Sequence, residues 1–561
     1  MGDCIYNLRV KASVRGWLGK KGISSNTKNL LIKGGDPLTI TSVATQPDSF
    51  IKLNENPSSN EGVRTQDVDL GWKKTGRNYD DPWRKTDVKE SEYQISPNFS
   101  TIILGEDDFF TKYTCIESFV GKAVRNRILY PMKDTAVYTD TDEILRDLKL
   151  GAGEGQAIPA SYNSDFGMLT DESFSRIFFY GMGATLLAAQ DNSASNTLRA
   201  DLGPFVVDIP LHELTVRPGF RRYGCRIHFS SDQKVSAIHD YELKKTVRPG
   251  EDGWDQAKWL AKVNTFLFVT VREHLVWTHL IVSNAATRES TIRLPPNHPL
   301  RRLLTIFTYR STEVNNSAFS ALVPDHSVLH RSTAFTYDSM KKVFDSAYLS
   351  SNIFEPFPDR EVNPDLVDLS DQGKFPFLSE GIAYYQVVEE FVRDWMSKAG
   401  DTGLDDQAKS FYEGMREVSL GQKYEIPVFR GVDDMVKLVT QIIFTVTAYH
   451  ELVGNVGDYT IRPDRSGFRI ARGAEETSVD VQSLLLTALI AASTSIRMPQ
   501  LMAPYNNFFG AGGAPEWERT AWNSFVVNLQ AQSTAVQAAD STRDVEFKYF
   551  DPARFECSVS V

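Results

Sequence analysis

Two segments of this 561-residue chain are apolar almost all the way round, and they constrain the fold more than any other feature. They span residues 260–283 and 436–454. A helix that is apolar on every side belongs in a membrane or at the centre of a large protein. Polar and charged residues interrupt both segments, among them Lys437 and Gln441 in the second, and no uninterrupted apolar run reaches the length of a membrane span. We therefore expect two long central helices in a large, mainly α-helical domain with few short strands.

The remaining chain divides into a polar start and a helical body. Residues 1–95 are rich in Asn, Ser, Lys and Gly, which are typical of turns and loops. They predict an N-terminal extension packed on one large domain over residues 96–561, without a separate β-sandwich. Within that domain, helical patterns are expected at Asp171 to Leu187, Gly381 to Lys398 and Ser478 to Ile496.

Composition excludes some functions and predicts a compartment. The net charge of −11 argues against binding of nucleic acid, whose phosphates attract basic surfaces. The N-terminus lacks the long apolar run of a signal peptide. We expect a cytoplasmic monomer that touches membrane surfaces only transiently, to collect lipid. The four cysteines form no CxxC pair and are interpreted as free thiols in a reducing compartment: Cys4, Cys115, Cys225 and Cys557.

Histidine placement points to a buried metal. The chain has nine histidines, and three of them lie in the two apolar segments: His274, His279 and His450. A buried imidazole costs free energy unless its nitrogens find partners, and a metal ion is one such partner.

The spacing of these histidines is unusual for a helix. His274 and His279 are five positions apart, which is a rotation of roughly 140° in an ideal α-helix, so they would not share a face. A π-bulge would bring them onto one face, and such bulges favour functional sites. His450 and Asn455 are also five apart. Two facing helices could therefore supply four ligands, although unrelated core or helix-end residues remain an alternative. Nitrogen and oxygen donors without thiolates favour iron(II) or manganese over a structural zinc site.

Several short motifs, in order along the chain, resemble the lipoxygenase family. EHLVWTHLIV at 273–282 resembles the first ligand helix of that family, and AKWLAKV at 257–263 resembles the approach to it. The others are DESFSRIFFYGMGA at 171–184, LPPNHPLRRLL at 294–304, NVGDY at 455–459 and the C-terminal YFDPARFECSVSV.

The resemblance implies a lipoxygenase-type catalytic domain and a complete set of metal ligands. The terminal carboxylate turns inward in lipoxygenases and binds the metal, and an apolar tail is consistent with such burial. Iron is the implied cofactor, one per chain. Manganese is the alternative, because a terminal Val resembles the manganese-using fungal branch. The implied ligands are His274, His279, His450, Asn455 and the carboxylate of Val561.

The resemblance also implies residues around the metal. Asp458 and His298 are expected to support the ligands through hydrogen bonds. In VNNSAFSALVP at 314–324, either Ala318 or Phe319 would line the substrate pocket and control where oxygen attacks. Glu451 remains an alternative ligand to Asn455.

The implied reaction is insertion of O2 into a polyunsaturated fatty acid that contains a 1,4-pentadiene unit. A metal(III)-hydroxide would take a hydrogen atom from the bis-allylic carbon, and O2 would add to give a conjugated hydroperoxide. The alternatives on the same fold are isomerisation of fatty-acid hydroperoxides and oxygenation of another polyene. A non-catalytic lipid-binding relative and a zinc hydrolase are less consistent with the residues. His450-Glu451 begins the hydrolase motif HExxH, but Gly454 stands where the second His belongs.

Overall fold

The structure is a computed structural model that describes a large part of the chain. The predicted N-terminal extension and the predicted helix at 478–496 lie outside the described residues. Those residues are 169–190, 202–295, 297–309, 311, 315, 328–350, 352–357, 375–419, 426–459, 467–473, 500–502, 505, 509 and 515–559.

The described residues are mainly helical, which confirms the predicted fold class. Two helical segments are π-helices, π1 at Val269–Ser283 and π2 at Thr445–Tyr449. Short 3-10 helices lie at Met182–Leu186, Gly400–Leu404, Lys548–Phe550 and Pro552–Arg554. The α-helices, in chain order, are α1 Asp171–Phe179, α2 Trp254–Phe268, α3 Asn284–Arg293, α4 Pro299–Phe307, α5 Val328–Ser332, α6 Tyr337–Leu349, α7 Pro376–Ala399, α8 Asp406–Val418, α9 Val432–Phe444, α10 His450–Gly454, α11 Val456–Tyr459 and α12 Glu516–Asp540.

The two apolar segments form the buried centre, as predicted. Helix α2 continues directly into π1, and α9 continues through π2 into α10. Almost every residue of these segments is buried, including Trp259 and Trp277. Among the described residues, we find no helix with both the length and the apolar character needed to cross a bilayer. The charged residues that interrupt the apolar pattern differ in burial: Lys262 and Glu273 are buried, whereas Lys437, near the start of α9, is exposed.

A small sheet covers one side of α2. Its five short strands pair in sequence order, each antiparallel to the next. The buried Asn264 of α2 ties the helix to the sheet, because its Oδ1 accepts a hydrogen bond from the backbone N–H of Gly224 at 3.0 Å. The strands are β1 Ala188–Ala189, β2 Phe205–Ile209, β3 Cys225–Phe229, β4 Val235–Asp240 and β5 Lys245–Val247.

The helix predicted from Asp171 to Leu187 is shorter than expected. Helix α1 begins at an N-cap, where the Thr170 hydroxyl accepts a hydrogen bond from the backbone N–H of Ser173 at 3.1 Å, and it ends at Phe179. Gly181 follows, and a Cβ there would lie only 2.9 Å from the Tyr459 hydroxyl oxygen. Close packing against Tyr459 therefore requires glycine where a helix would favour another residue, and the chain continues as a 3-10 helix.

The buried carboxyl group of Glu380 on α7 should make the stability of the protein depend on pH. Burial raises the pKa of Glu380 to about 8, although the guanidinium of Arg543, 2.5 Å away, opposes the rise. A raised folded-state pKa stabilises the protein below the unfolded pKa of about 4.3, and this contribution is lost as pH rises toward 8. The slope is at most about 1.4 kcal/mol per pH unit.

We therefore expect Glu380→Gln to flatten the fall of the thermal unfolding midpoint between pH 5 and 8. Glu390→Gln, at an exposed position of the same helix, is the matched control and should leave the slope unchanged. Equal slopes for wild type and Glu380→Gln would contradict the prediction.

Candidate metal centre

Three imidazoles from the two central segments meet in the core. His274 and His279 lie on π1, and His450 is the first residue of α10. The Nε2 atoms of the three rings are 3.1 Å apart for His274–His279, and 3.2 Å apart for both His274–His450 and His279–His450. All three side chains are buried. The π-helix predicted from the five-residue spacing is therefore present, and it places His274 and His279 on one face.

The hydrogen bonds of Asn315 determine which nitrogen of His279 faces the other histidines. The Asn315 Nδ2 donates to the backbone carbonyl of His279 at 2.8 Å, so its Oδ1 is the atom 3.1 Å from Nδ1 of His279. An amide oxygen only accepts, so Nδ1 must carry the proton and Nε2 must carry a lone pair. This lone pair points at the other two imidazoles.

Three converging Nε2 atoms fit a cation better than they fit one another. A neutral imidazole has one N–H, so three mutual contacts cannot all be hydrogen bonds. Two nitrogens that bind one ion at a right angle are separated by the bond length times the square root of two, which is about 3.0 Å for bonds of about 2.1 Å. The separations of 3.1–3.2 Å agree with this value. Burial, followed by repulsion from His279, holds the pKa of His274 well below its usual range, so the ring is neutral and able to bind a metal.

Gly454, at the end of α10, packs closely against the imidazoles. A Cβ at Gly454 would lie 2.8 Å from Nε2 of His274 and 3.2 Å from Nε2 of His450, closer than carbon normally packs. Asn455 follows, outside the helix and buried, and its Nδ2 has no hydrogen-bond partner among the described residues. The nitrogen and oxygen of an amide are told apart only by their hydrogen bonds, so the unpaired end can equally be assigned as the oxygen. An amide oxygen is the atom through which Asn455 would bind a metal. The residues present therefore fit a metal ion.

A hydrogen bond joins the two histidine-bearing segments. The hydroxyl of Tyr449, the last residue of π2, donates to Oε2 of Glu273 on π1 at 2.7 Å. Both side chains are buried, and each stands next to a clustered histidine. This contact fixes the two segments relative to each other at the level of the imidazoles.

The C-terminal tail is buried beside α4. The Cys557 thiol contacts the carbonyl of Ile306 at 3.2 Å, and the Ser558 hydroxyl donates to the carbonyl of Tyr309 at 2.8 Å. Burial raises the pKa of the Cys557 thiol to about 12, so it is unreactive at neutral pH. The expected inward course of the tail holds as far as Val559, which is fully buried.

Several predicted site residues lie elsewhere or outside the described residues. Nδ1 of His298 accepts from the backbone N–H of Leu300 at 3.1 Å, and its Nε2 lies 3.3 Å from Oδ1 of Asp405. His298 thus caps α4, and both its ring nitrogens are engaged away from the clustered histidines. Asp458 lies on α11, and its side chain is not described. Ala318, Phe319 and Val561 lie outside the described residues.

Sequence reasoning missed two residues that contact the histidines. Asn315 contacts His279, and Glu556 lies near His450, with Oε2 of Glu556 3.8 Å from Nδ1 of His450. Asn315 belongs to the segment that was interpreted only as pocket lining. Glu556 is a charged residue inside a mostly apolar tail, and its charge was the feature of the sequence that could have marked it as part of the site.

Replacing Asn315 by alanine should weaken metal binding while the protein still folds. Loss of the amide removes the acceptor that holds the proton of His279 on Nδ1, and loss of such a supporting contact typically costs about 10–100-fold in metal affinity. Competition with a chelator measures the change. Asn284→Ala, at a buried position one residue beyond π1, is the control, and similar affinities of Asn315→Ala and wild type would contradict the prediction.

Comparisons with known proteins place this site in a familiar fold. The chain matches no family model. It is 23% identical to the arachidonate 12-lipoxygenase, 12R-type, of Rattus norvegicus over 372 residues, which cover 60% of this chain and 52% of that protein. The chain therefore spans about half the length of this curated relative.

Solved structures agree more extensively. A coral 8R-lipoxygenase superposes with a TM-score of 0.66 at 14% identity, covering 91% of this chain and 82% of the coral chain. The manganese lipoxygenase of Gaeumannomyces graminis gives a TM-score of 0.60 at 12% identity, covering 91% of this chain and 100% of the other.

The architecture and the converging imidazoles define a helical protein with a buried three-histidine site. More particularly, the chain has the fold of the lipoxygenases, which confirms the resemblance predicted from the sequence.

Proposed function

We propose that this chain is a dioxygenase of the lipoxygenase type, acting on polyunsaturated fatty acids that contain a 1,4-pentadiene unit. Fatty acid and O2 combine to give one product, a conjugated hydroperoxide, without a further reactant. The observation that carries the proposal is the convergence of the Nε2 atoms of His274, His279 and His450 inside a lipoxygenase fold.

A metal ion is proposed as the cofactor, with iron preferred. Nitrogen and oxygen donors without thiolates suit iron and manganese alike. The name of one structural neighbour includes manganese. A redox-active metal supplies the one-electron chemistry needed to take a hydrogen atom from the bis-allylic carbon. His274, His279 and His450 would hold the ion, with Asn455 and the carboxylate of Val561 as further ligands.

The protein's own residues orient the ligands and exclude water. The contact with Asn315 keeps the proton of His279 on Nδ1, so the lone pair on Nε2 points at the other two histidines. The Tyr449–Glu273 hydrogen bond fixes the two helical segments relative to each other. The apolar side chains of α2, π1 and α9 surround the site, so a radical formed on the substrate would be shielded from solvent. Transient membrane contact, a monomeric state and a cytoplasmic location remain predictions.

Metal analysis combined with two activity measurements tests the proposal. The purified full chain is analysed for iron and manganese, then mixed with linoleate while O2 uptake and conjugated-diene absorbance are followed. We expect about one metal ion per chain, O2 uptake and diene formation in equal amounts.

The other outcomes distinguish the alternatives. A metal-loaded protein that consumes linoleate hydroperoxide without O2 uptake, and leaves linoleate unchanged, would favour a hydroperoxide isomerase. A protein without metal and without activity on either lipid would overturn the proposal.

A further inference from the structure

A carboxylate lies beside His450, near the ring nitrogen that does not belong to the three-histidine cluster. Oε2 of Glu556 is 3.8 Å from Nδ1 of His450, whereas Nε2 of His450 belongs to the cluster. The side chain of Glu556 is 3% exposed and that of His450 is 7% exposed. One nitrogen of the buried His450 ring therefore lies near the carboxylate, and the other belongs to the three-histidine cluster.

The backbone around Glu556 is held firmly. The backbone N–H of Leu501 donates to the carbonyl of Phe555 at 2.7 Å, and Gln500 forms an isolated β-bridge with Glu556. On the other side, Cys557 and Ser558 are bonded to the end of α4 and to Tyr309. These contacts fix the position of the chain that carries Glu556 beside His450.

The charge on His450 determines how strongly it attracts this carboxylate. A buried carboxylate is stabilised by positive charge close to it. An imidazole bound to a cation carries more positive charge at Nδ1–H than a free neutral imidazole does. The separation of 3.8 Å is longer than a hydrogen bond, and a more positive ring attracts the carboxylate across it more strongly.

We propose that Glu556 is a positioning residue, which keeps the proton of His450 on Nδ1 and favours the higher oxidation state of the bound metal. The inference rests on the proposed metal centre. A proton on Nδ1 leaves the lone pair on Nε2, where the metal binds. A nearby negative charge stabilises a trivalent ion more than a divalent one, because the attraction grows with the charge of the ion.

Two variants separate the charge of Glu556 from its size. Glu556→Gln removes the charge and nearly keeps the volume, whereas Glu556→Asp keeps the charge on a shorter side chain. We expect Glu556→Gln to bind divalent zinc about 10–100-fold more weakly than wild type, as measured by chelator competition. At a fixed redox poise, its ratio of ferric to ferrous iron, read from the ferric electron-paramagnetic signal, should fall at least tenfold. Glu556→Asp should lie between the two in both measurements.

Glu380→Gln is the matched control, because it neutralises a buried carboxylate on α7 whose cationic neighbour is Arg543. It should leave zinc affinity and the ferric-to-ferrous ratio unchanged.

The failure of this inference is distinguishable from that of the proposed function. Metal-loaded Glu556→Gln with the zinc affinity and iron ratio of wild type would overturn the inference and leave the dioxygenase intact. A wild-type protein that binds no metal would overturn both. If Glu556→Gln does not fold, Glu556→Asp alone tests the inference. Its shorter side chain holds the charge farther from the metal, so an iron ratio equal to that of wild type would contradict the proposed charge effect.

Discussion

Replacing His279 by glutamine is expected to abolish binding of the proposed metal ion and, with it, the proposed oxygenation of linoleate. His279 supplies one of three Nε2 atoms that lie 3.1–3.2 Å apart in the core. Its ring is also the one whose tautomer Asn315 fixes. The glutamine side chain offers no imidazole nitrogen, so the three-nitrogen cluster cannot form.

The size of the effect follows from general metal-binding energies. Structural zinc sites with four ligands bind with about 10–16 kcal/mol in total, so one ligand contributes about 3–4 kcal/mol. This corresponds to a loss of about 100–1000-fold in affinity. At micromolar protein concentration we expect metal analysis to find metal-poor His279→Gln protein, and diene formation to fall in proportion.

A second buried histidine provides a matched control. His228 on β3 is 1% exposed, and its Nδ1 lies 3.1 Å from the amide oxygen of Gln190, much as Nδ1 of His279 lies beside Asn315. His228→Gln should keep the metal and the activity, because His228 does not belong to the cluster. Full metal content and unchanged diene formation in His279→Gln would show that the cluster is not the metal site.

Replacing Arg302 by leucine should cause the largest loss of stability among the variants considered. The guanidinium Nε of Arg302, on α4, lies 2.8 Å from Oε2 of Glu518 on α12, and both side chains are 1% exposed. Removing one partner of a buried ion pair leaves the other charge without compensation, which costs about 3–5 kcal/mol. The urea midpoint of unfolding measures this loss.

The pH dependence of that loss has a defined sign. Burial raises the pKa of Glu518, and Arg302 opposes the rise. Without Arg302 the pKa of Glu518 should rise further. A raised folded-state pKa stabilises the protein at low pH and stops doing so as pH increases. Arg302→Leu should therefore be closer to wild type at pH 5 than at pH 8.

The double variant Arg302→Leu with Glu518→Leu tests the physical reason. Replacing both charges by apolar residues removes the unpaired anion, and such replacements are often neutral or stabilising. We expect it to recover most of the stability lost in the single variant. A single variant within about 1 kcal/mol of wild type would indicate that water reaches Glu518.

Local sequence patterns predicted the central helices well, for reasons visible in particular residues. The near absence of polar faces at 260–283 and 436–454 required burial, and both segments are buried. The five-residue separation of His274 and His279 required a π-helix if both were to face one site, and π1 is present. The predicted single helix at 171–187 was wrong beyond Phe179, because the packing of Gly181 against Tyr459 depends on a residue far away in the chain.

The surroundings of the site were predicted less well. His298 was expected to support the ligands, but it caps α4 and contacts Asp405. Asn315 and Glu556 contact clustered histidines and were not singled out. Hydrogen-bond partners separated by many residues leave no periodic signal in a single sequence, so spacing could not reveal them.

The sequence by itself determined that two apolar helices must be buried, and that His274 and His279 share a face only in a π-helix. These are local properties, set by side-chain polarity and by the rotation per residue along a helix. Only the tertiary structure decided that His450 meets them, that Asn315 orients His279, and that Glu556 stands behind His450. Those contacts join residues 36 to 176 positions apart or come from the end of the chain, and packing of the whole core brings them together.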